Sequence, residues 1–178
     1  MYKFNCIAGV VALGVVAGHA MAATPAGQGT VTFNGTLTAN TCVIDGDVDQ
    51  TVTLPTLSVK TLATAGNEAG SKNFDIKVKE CDASKVATHF EAIGSSGVDA
   101  TTGNLTNSLT GDEAATKVEI RLYNPDGTQI RAGDTGKEYT VDSTAKTATM
   151  TYVGGYYATG QSTAGNVAAK IVYTIAYP

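Results

Sequence analysis

Histidine is nearly missing from this sequence: there are 2 in 178 residues. His19 falls in an N-terminal apolar stretch, which leaves His89 as the only histidine beyond it. One histidine without cysteine or carboxylate at ligand spacing builds no zinc site. No G-x-S-x-G is present, so the nucleophile elbow of the α/β-hydrolases is absent too. His89 stands between Thr88 and Phe90 and reads as a solvated strand residue. No catalytic constellation emerges, and neither a cofactor nor a metal is expected. Charge is also sparse, with 12 Lys and Arg against 16 Asp and Glu scattered along the chain. That balance argues against nucleic acid and anionic membrane as partners. No stretch beyond the N-terminal one keeps a helical period, and there is no repeat and no sign of a second domain.

Long apolar runs are limited to one, Cys6 to Gly18, which is short for a bilayer span. Lys3 precedes it and Ala20-Met21-Ala22 follows. A basic start, an apolar centre and an A-x-A site mark residues 1–22 as a secretory signal, cut between Ala22 and Ala23. Removing 22 of 178 residues leaves 156. It also takes one of the 12 basic residues and none of the 16 acidic ones, for a net charge of −5. Cysteine is scarce, at 3, and Cys6 leaves with the signal. In an exported chain, the remaining Cys42 and Cys81 are expected to form a disulfide. Closing a loop of about 40 residues contributes about 4 kcal/mol in the chain-entropy account. The alternative is two separate buried thiols.

What the chain does have is short alternating stretches rich in Thr and Val, separated by glycine turns. Thr36–Ile44 and Gln50–Leu54 read as strands, the second ended by Pro55. Thr61–Ser71 reads as loop. Phe74, Ile76 and Val78 alternate with Asp75, Lys77 and Lys79 in a half-buried strand. Val86–Ile93 is another, and a short strand falls near Leu105–Leu109 within a loop from Gly94 to Gly111. Val118, Ile120 and Leu122 alternate with Glu119 and Arg121. Asn124-Pro-Asp-Gly127 is a turn, with a short return strand at Thr128–Arg131. Glu138–Val141 and Thr147–Val153 complete this series, and Gly154-Gly155 breaks or bulges the latter. The fold class is therefore an all-β sandwich.

Two stretches stand out. In Gly165–Pro178, the residues Gly165, Val167, Ala169, Ile171, Tyr173, Ile175 and Tyr177 share one face, with Lys170 and Thr174 on the other. The sequence ends with this strand, so a long apolar strand is expected to take its neighbour from elsewhere. Near the other end, Gly27, Gly29, Val31, Phe33 and Gly35 also share a face. The two read as groove and plug, on different copies. Weaker signals carry less. Asp45, Asp47 and Asp49 lack the Gly and Glu of a calcium loop and read as a solvated turn. Tyr152, Tyr156 and Tyr157 are structural tyrosines or, as the alternative, an aromatic sugar platform.

In order along the chain, Gly29-Thr-Val-Thr-Phe-Asn-Gly35, Cys42, Asp49-Gln-Thr-Val-Thr-Leu54, Phe74-Asp-Ile with Cys81 close behind, Tyr156-Tyr-Ala-Thr-Gly160 and the Gly165–Tyr177 strand form one pattern. With it, the chain resembles the major structural subunits of chaperone–usher fimbriae, the type 1 fimbrial subunit family. The one departure is Pro178 after the penultimate Tyr177; without an amide hydrogen it affects the last pairing position only. The resemblance implies an incomplete immunoglobulin-like sandwich lacking its C-terminal strand, completed by a donor strand from another chain. It implies a donor extension over 23–35 and a pilin domain over 36–178. It implies that Val31 and Phe33 fill groove pockets, that Gly29 meets a narrow point, and that Gly27 sits where exchange begins. It also implies a periplasmic chaperone, an outer-membrane usher, minor pilins or a tip adhesin, and other copies of itself as partners in a surface fimbria that supports adhesion. A minor or adaptor subunit, and a monomeric sugar-binding sandwich, are the alternatives.

Overall fold

The computed structural model describes residues 27–178. The signal segment and the Ala22–Ala23 cleavage site lie outside the described residues, as do positions 23–26 of the donor extension. The chain divides into two units, Met1–Leu37 and Thr38–Pro178. In the first, residues 27–37 have no regular strand or helix and are exposed throughout.

The second unit is built from nine strands and one short 3-10 turn, Val59–Leu62. The strands are β1 (Val43–Ile44), β2 (Glu68–Lys79), β3 (Lys85–Glu91), β4 (Leu105–Thr106), β5 (Val118–Tyr123), β6 (Gln129–Ile130), β7 (Tyr139–Thr140), β8 (Ala148–Ala158) and β9 (Val172–Ala176). One sheet runs β1-β2-β8-β5-β4, with β6 also paired to β5; the other runs β7-β3-β9. Every strand pair in them is antiparallel. Among the described residues there is no α-helix.

The core follows the two-residue period of a strand. Ile76 and Val78 of β2, Ala148, Met150 and Tyr152 of β8, and Leu122 of β5 enter from one sheet. Val86 and Phe90 of β3 meet them from the other. Tyr152 and Phe90 are both 0% exposed. Burying the Tyr152 hydroxyl is tolerable because it is bonded: it accepts the Thr88 N–H at 3.1 Å and donates to the Lys137 carbonyl at 3.3 Å.

Several local readings change in the assembled fold. Within the segment read as loop, β2 begins at Glu68, six residues before Phe74. Gly154-Gly155 does not break β8, which runs on to Ala158. The irregularity lies in the facing strand, where the register shifts between Ala69 and Lys72. Gly70 turns there with φ +67°, and a methyl group at Gly155 would stand 3.2 Å from Ser71 Cα. Glycine in β8 thus makes room for a bulge in β2. Val86–Ile93 is shorter than its apolar run: β3 stops at Glu91 and Ile93 is 90% exposed. Alternation with Val118, Ile120 and Leu122 puts Glu119 on the opposite face, yet it is only 5% exposed. The loop before β4 covers it, with Thr102 Oγ1 and Asn104 Nδ2 donating to its carboxylate at 2.8 and 2.9 Å.

Thr36–Ile44 keeps only two residues in a ladder, and Gln50–Leu54 keeps none. Val52 and Leu54 are nevertheless half-buried between exposed Thr51, Thr53 and Pro55. That segment touches β2 through side chains, with Gln50 Nε2 donating to Asp75 O at 3.0 Å and Lys72 Nζ to Thr53 O at 3.1 Å. Its alternation is that of a strand, but no backbone ladder joins it among the described residues.

Candidate functional site

The last strand in each sheet on one side of the sandwich is an edge: β1 in the larger sheet and β9 in the smaller. In β1 the odd-numbered residues serve β2. Val43 faces Lys79, Asp45 N–H donates to Lys77 O at 2.8 Å, and Thr41 O accepts from Asp82 N–H at 3.1 Å. By the alternation of an antiparallel ladder, the main-chain groups of Cys42 and Ile44 turn the other way. In β9, Val172–Ala176 pairs with Glu91–Ala87 of β3. Its other edge carries no ladder among the described residues.

Two tyrosine hydroxyls reach from the β9 side to the β1 side. Tyr177 Oη accepts the Cys42 N–H at 2.7 Å, and Tyr173 Oη donates to the Val48 carbonyl at 3.0 Å. These partners are 135 and 125 residues apart in sequence. Burial, and then the nearby Asp49 carboxylate, push the Tyr173 phenol above its ordinary pKa of 10.0. The Cys42–Cys81 disulfide anchors the β1 wall to the chain just beyond β2, with Cα atoms 4.2 Å apart.

The apolar face of this strand is only partly covered. Ile171, Tyr173, Ile175 and Tyr177 pack against the main core but stay half-buried, whereas Val86 and Phe90 in the neighbouring β3 are fully buried. An edge strand presents a row of unpaired main-chain groups, here beside a half-covered apolar face. The long strand expected over Gly165–Tyr177 is thus a ladder only from Val172. Before it, main-chain bonds are interrupted by serine and asparagine side chains: Lys170 N–H donates to Ser96 Oγ at 2.7 Å, Val172 N–H to Ser95 Oγ at 2.9 Å, and Ala168 N–H to Asn107 Oδ1 at 2.9 Å. Asn166 bridges in parallel to Ala114, Gly165 presses on the Ala114–Ala115 backbone, Val167 packs on a second small cluster with Leu62 and Val118, and Ala169 is half-buried.

In the other unit, Gly27, Gly29, Val31, Phe33 and Gly35 are exposed, with Val31 at 78% and Phe33 at 90%. The tyrosines considered as a platform do not share a face. Tyr152 is in the core, Tyr156 lies against the would-be Cβ of Gly70, and the Tyr157 ring is covered by the Arg121 guanidinium, 3.6 Å from its centroid. Asp45 pairs with Lys79 at 3.0 Å. Among the described residues no three metal-type side chains gather. His89 Nδ1 meets Thr135 Oγ1 at 2.9 Å on the outer face of β3. What the sequence did not reveal is that the Cys42 amide and the Val48 carbonyl are the partners of Tyr177 and Tyr173, since backbone groups carry no sequence signal.

Residues 31–178 match the family model described as fimbrial protein. The chain belongs to the fimbrial protein family. The fimbrial subunit is 38% identical over 176 residues to the F17 fimbrial protein of Escherichia coli, covering 93% of this chain and 96% of that one. It is 40% identical over 161 residues to the major fimbrial subunit SMF-1 of Stenotrophomonas maltophilia, covering 85% and 94%. Its fold matches the solved structure of a chaperone–usher pilus reported to reveal the molecular basis of rod uncoiling, with TM-score 0.60 at 22% identity, over 88% of this chain and 99% of that one. The architecture is therefore the incomplete immunoglobulin-like sandwich of such pilins. As a fimbrial protein, the subunit is a structural component of fimbriae on the cell surface.

Proposed function

We propose that this fimbrial subunit polymerises by donor-strand exchange. The extension around Gly27–Gly35 of one copy enters the groove between β1 and β9 of the next. The observation that carries the reading is the pair of unpaired edges, β1 and β9, flanking a half-buried apolar face. An entering strand satisfies their main-chain groups and covers that face, which is strand addition to a sheet edge. Val31 and Phe33, now exposed, would each contribute about 1.5–3 kcal/mol on full burial. Gly29 fits a narrow point of the groove and Gly27 the place where exchange begins.

Extension and groove are different surfaces, so the contact is head to tail and does not close; repeated, it makes a fibre. Completing the fold supplies the free energy, with no nucleotide. Before assembly the open edge needs cover, the task of a periplasmic chaperone, and an outer-membrane usher directs the exchange. Within the fimbria the subunit serves as a major shaft component that supports adhesion together with minor pilins or a tip adhesin. The likeness to a major subunit over 94% of that protein's length supports the shaft role.

The test is to delete residues 23–34, fuse a copy of residues 25–36 after Pro178 through a flexible linker, and compare its melting temperature with the same deletion lacking the copy. A large rise is expected. Equal melting temperatures, with both proteins stable and monomeric, would show a domain complete by itself.

A further inference from the structure

We propose that the Tyr173 and Tyr177 hydroxyls latch the empty groove, and that their release sets the rate at which a donor strand enters. This rests on the groove reading above. In an antiparallel ladder the outward main-chain groups of an edge are paired by the next strand. Here the Cys42 N–H is already taken by Tyr177 Oη at 2.7 Å, and the Val48 carbonyl by the Tyr173 hydroxyl at 3.0 Å. Both tyrosines come from the opposite wall, and both rings pack on the main core cluster. The two bonds therefore tie wall to wall across the slot that a strand would occupy. A side-chain hydroxyl satisfies a main-chain group that would otherwise face water or lie unpaired.

The same bonds make the tyrosines gating residues for uptake. A strand pairing with β1 must take over the Cys42 amide, so the Tyr177 hydroxyl has to let go first, and its backbone then replaces that partner. The Tyr173 hydroxyl ties the bend after β1, at Val48, to β9 and has to let go for the two walls to part. Loss of a hydroxyl thus destabilises the empty groove more than the filled one. Thr174 is a control on the same strand: its Oγ1 donates to Glu91 Oε1 at 2.8 Å on the outer face.

The experiment uses the full mature chain and a fluorescent peptide of residues 25–36. Uptake is followed by anisotropy for the wild type, Tyr173→Phe, Tyr177→Phe, the double variant and Thr174→Ala. A neutral hydrogen bond corresponds to roughly 0.5–1.5 kcal/mol, so each Tyr→Phe change is expected to speed uptake about 2- to 10-fold, and the double variant more. Release of bound peptide should stay within about twofold of wild type, and Thr174→Ala should not alter uptake. Amide exchange gives a second readout that needs no peptide: the Cys42 amide should exchange faster in Tyr177→Phe, with core amides such as Phe90 unchanged. Unaltered uptake in the Tyr→Phe variants, or equal acceleration by Thr174→Ala, overturns the latch while leaving the groove in place. If no variant takes up peptide, including the wild type, both the groove reading and the latch fall.

Discussion

The rings of Tyr152 and Phe90 meet edge to face with centroids 5.0 Å apart, one from each sheet. They mark the closed, dry part of the sandwich, in contrast to the half-covered face of β9. The pair is also where the fold is most sensitive. Phe90→Ala removes a fully buried ring whose surroundings are already packed by Tyr152, Met150 and Val86. The expected loss is about 3–5 kcal/mol. Urea unfolding of the donor-fused protein would read it as a lower midpoint at unchanged slope.

The disulfide ties residues 39 apart, Cys42 and Cys81. Cutting it by Cys42→Ser with Cys81→Ser is expected to cost about 4 kcal/mol through the freedom regained by the unfolded chain. The comparison is urea unfolding of the oxidised protein and the double serine variant. Equal midpoints would count against the assignment.

Gly70→Ala tests the bulge. At φ +67° an alanine is strained, and its methyl would stand 2.9 Å from both Leu57 Cδ1 and Tyr156 Cδ2. A loss of about 1–3 kcal/mol is expected. Gly127→Ala is the comparison, because it has φ +84° with nothing within 4 Å. It should cost less.

Alkaline pH should loosen the fold. Burial raises the phenol pKa of Tyr152, Tyr139, Tyr156 and Tyr173 above the ordinary 10.0. The unfolded chain then loses these protons first, so this contribution is whole below pH 10.0 and is lost as pH rises through the folded values. Unfolding free energy, followed from about pH 8 to about pH 11, should fall only in the upper part of that range. Tyr152→Phe should lower the neutral-pH stability by about 1–3 kcal/mol, leaving the Thr88 N–H unpaired, and should flatten the alkaline decline.

Gly29→Leu addresses assembly. A bulky side chain at a narrow point of the groove should block polymerisation and leave the chaperone complex intact. Electron microscopy of cells expressing the variant is expected to show no fibres, while the complex is still recovered from the periplasm. Fibres of normal length and number would sink the donor role assigned to this position.

Much of the sandwich was legible because strand burial has a period of two. Phe74-Ile76-Val78 and Ala148-Met150-Tyr152 point inward as their alternation requires. The same pattern on Ile171, Tyr173, Ile175 and Tyr177 turns them toward the main core, where they stay half-buried. The readings that changed are those where a distant segment overrode the local pattern. Glu119 is polar by alternation but buried, because the loop carrying Thr102 and Asn104 folds over it. Gly154-Gly155 reads as a break or a bulge; β8 runs on, and the glycines accommodate a bulge in the facing β2. Gln50–Leu54 kept its alternation and lost its ladder, since pairing requires a neighbour that no local pattern can supply.

By itself the sequence determined most of the residues that face inward, the two cysteines that pair, and the exposed, glycine-rich stretch near the N-terminus. Those properties are local: they depend on side-chain polarity, spacing and turn chemistry. Only the tertiary structure decided that β1 and β9 are edge strands, and that tyrosines 135 and 125 residues away reach the Cys42 amide and the Val48 carbonyl. Backbone amides and carbonyls are alike at nearly every position, so which of them stay unpaired is settled by where the sheets end.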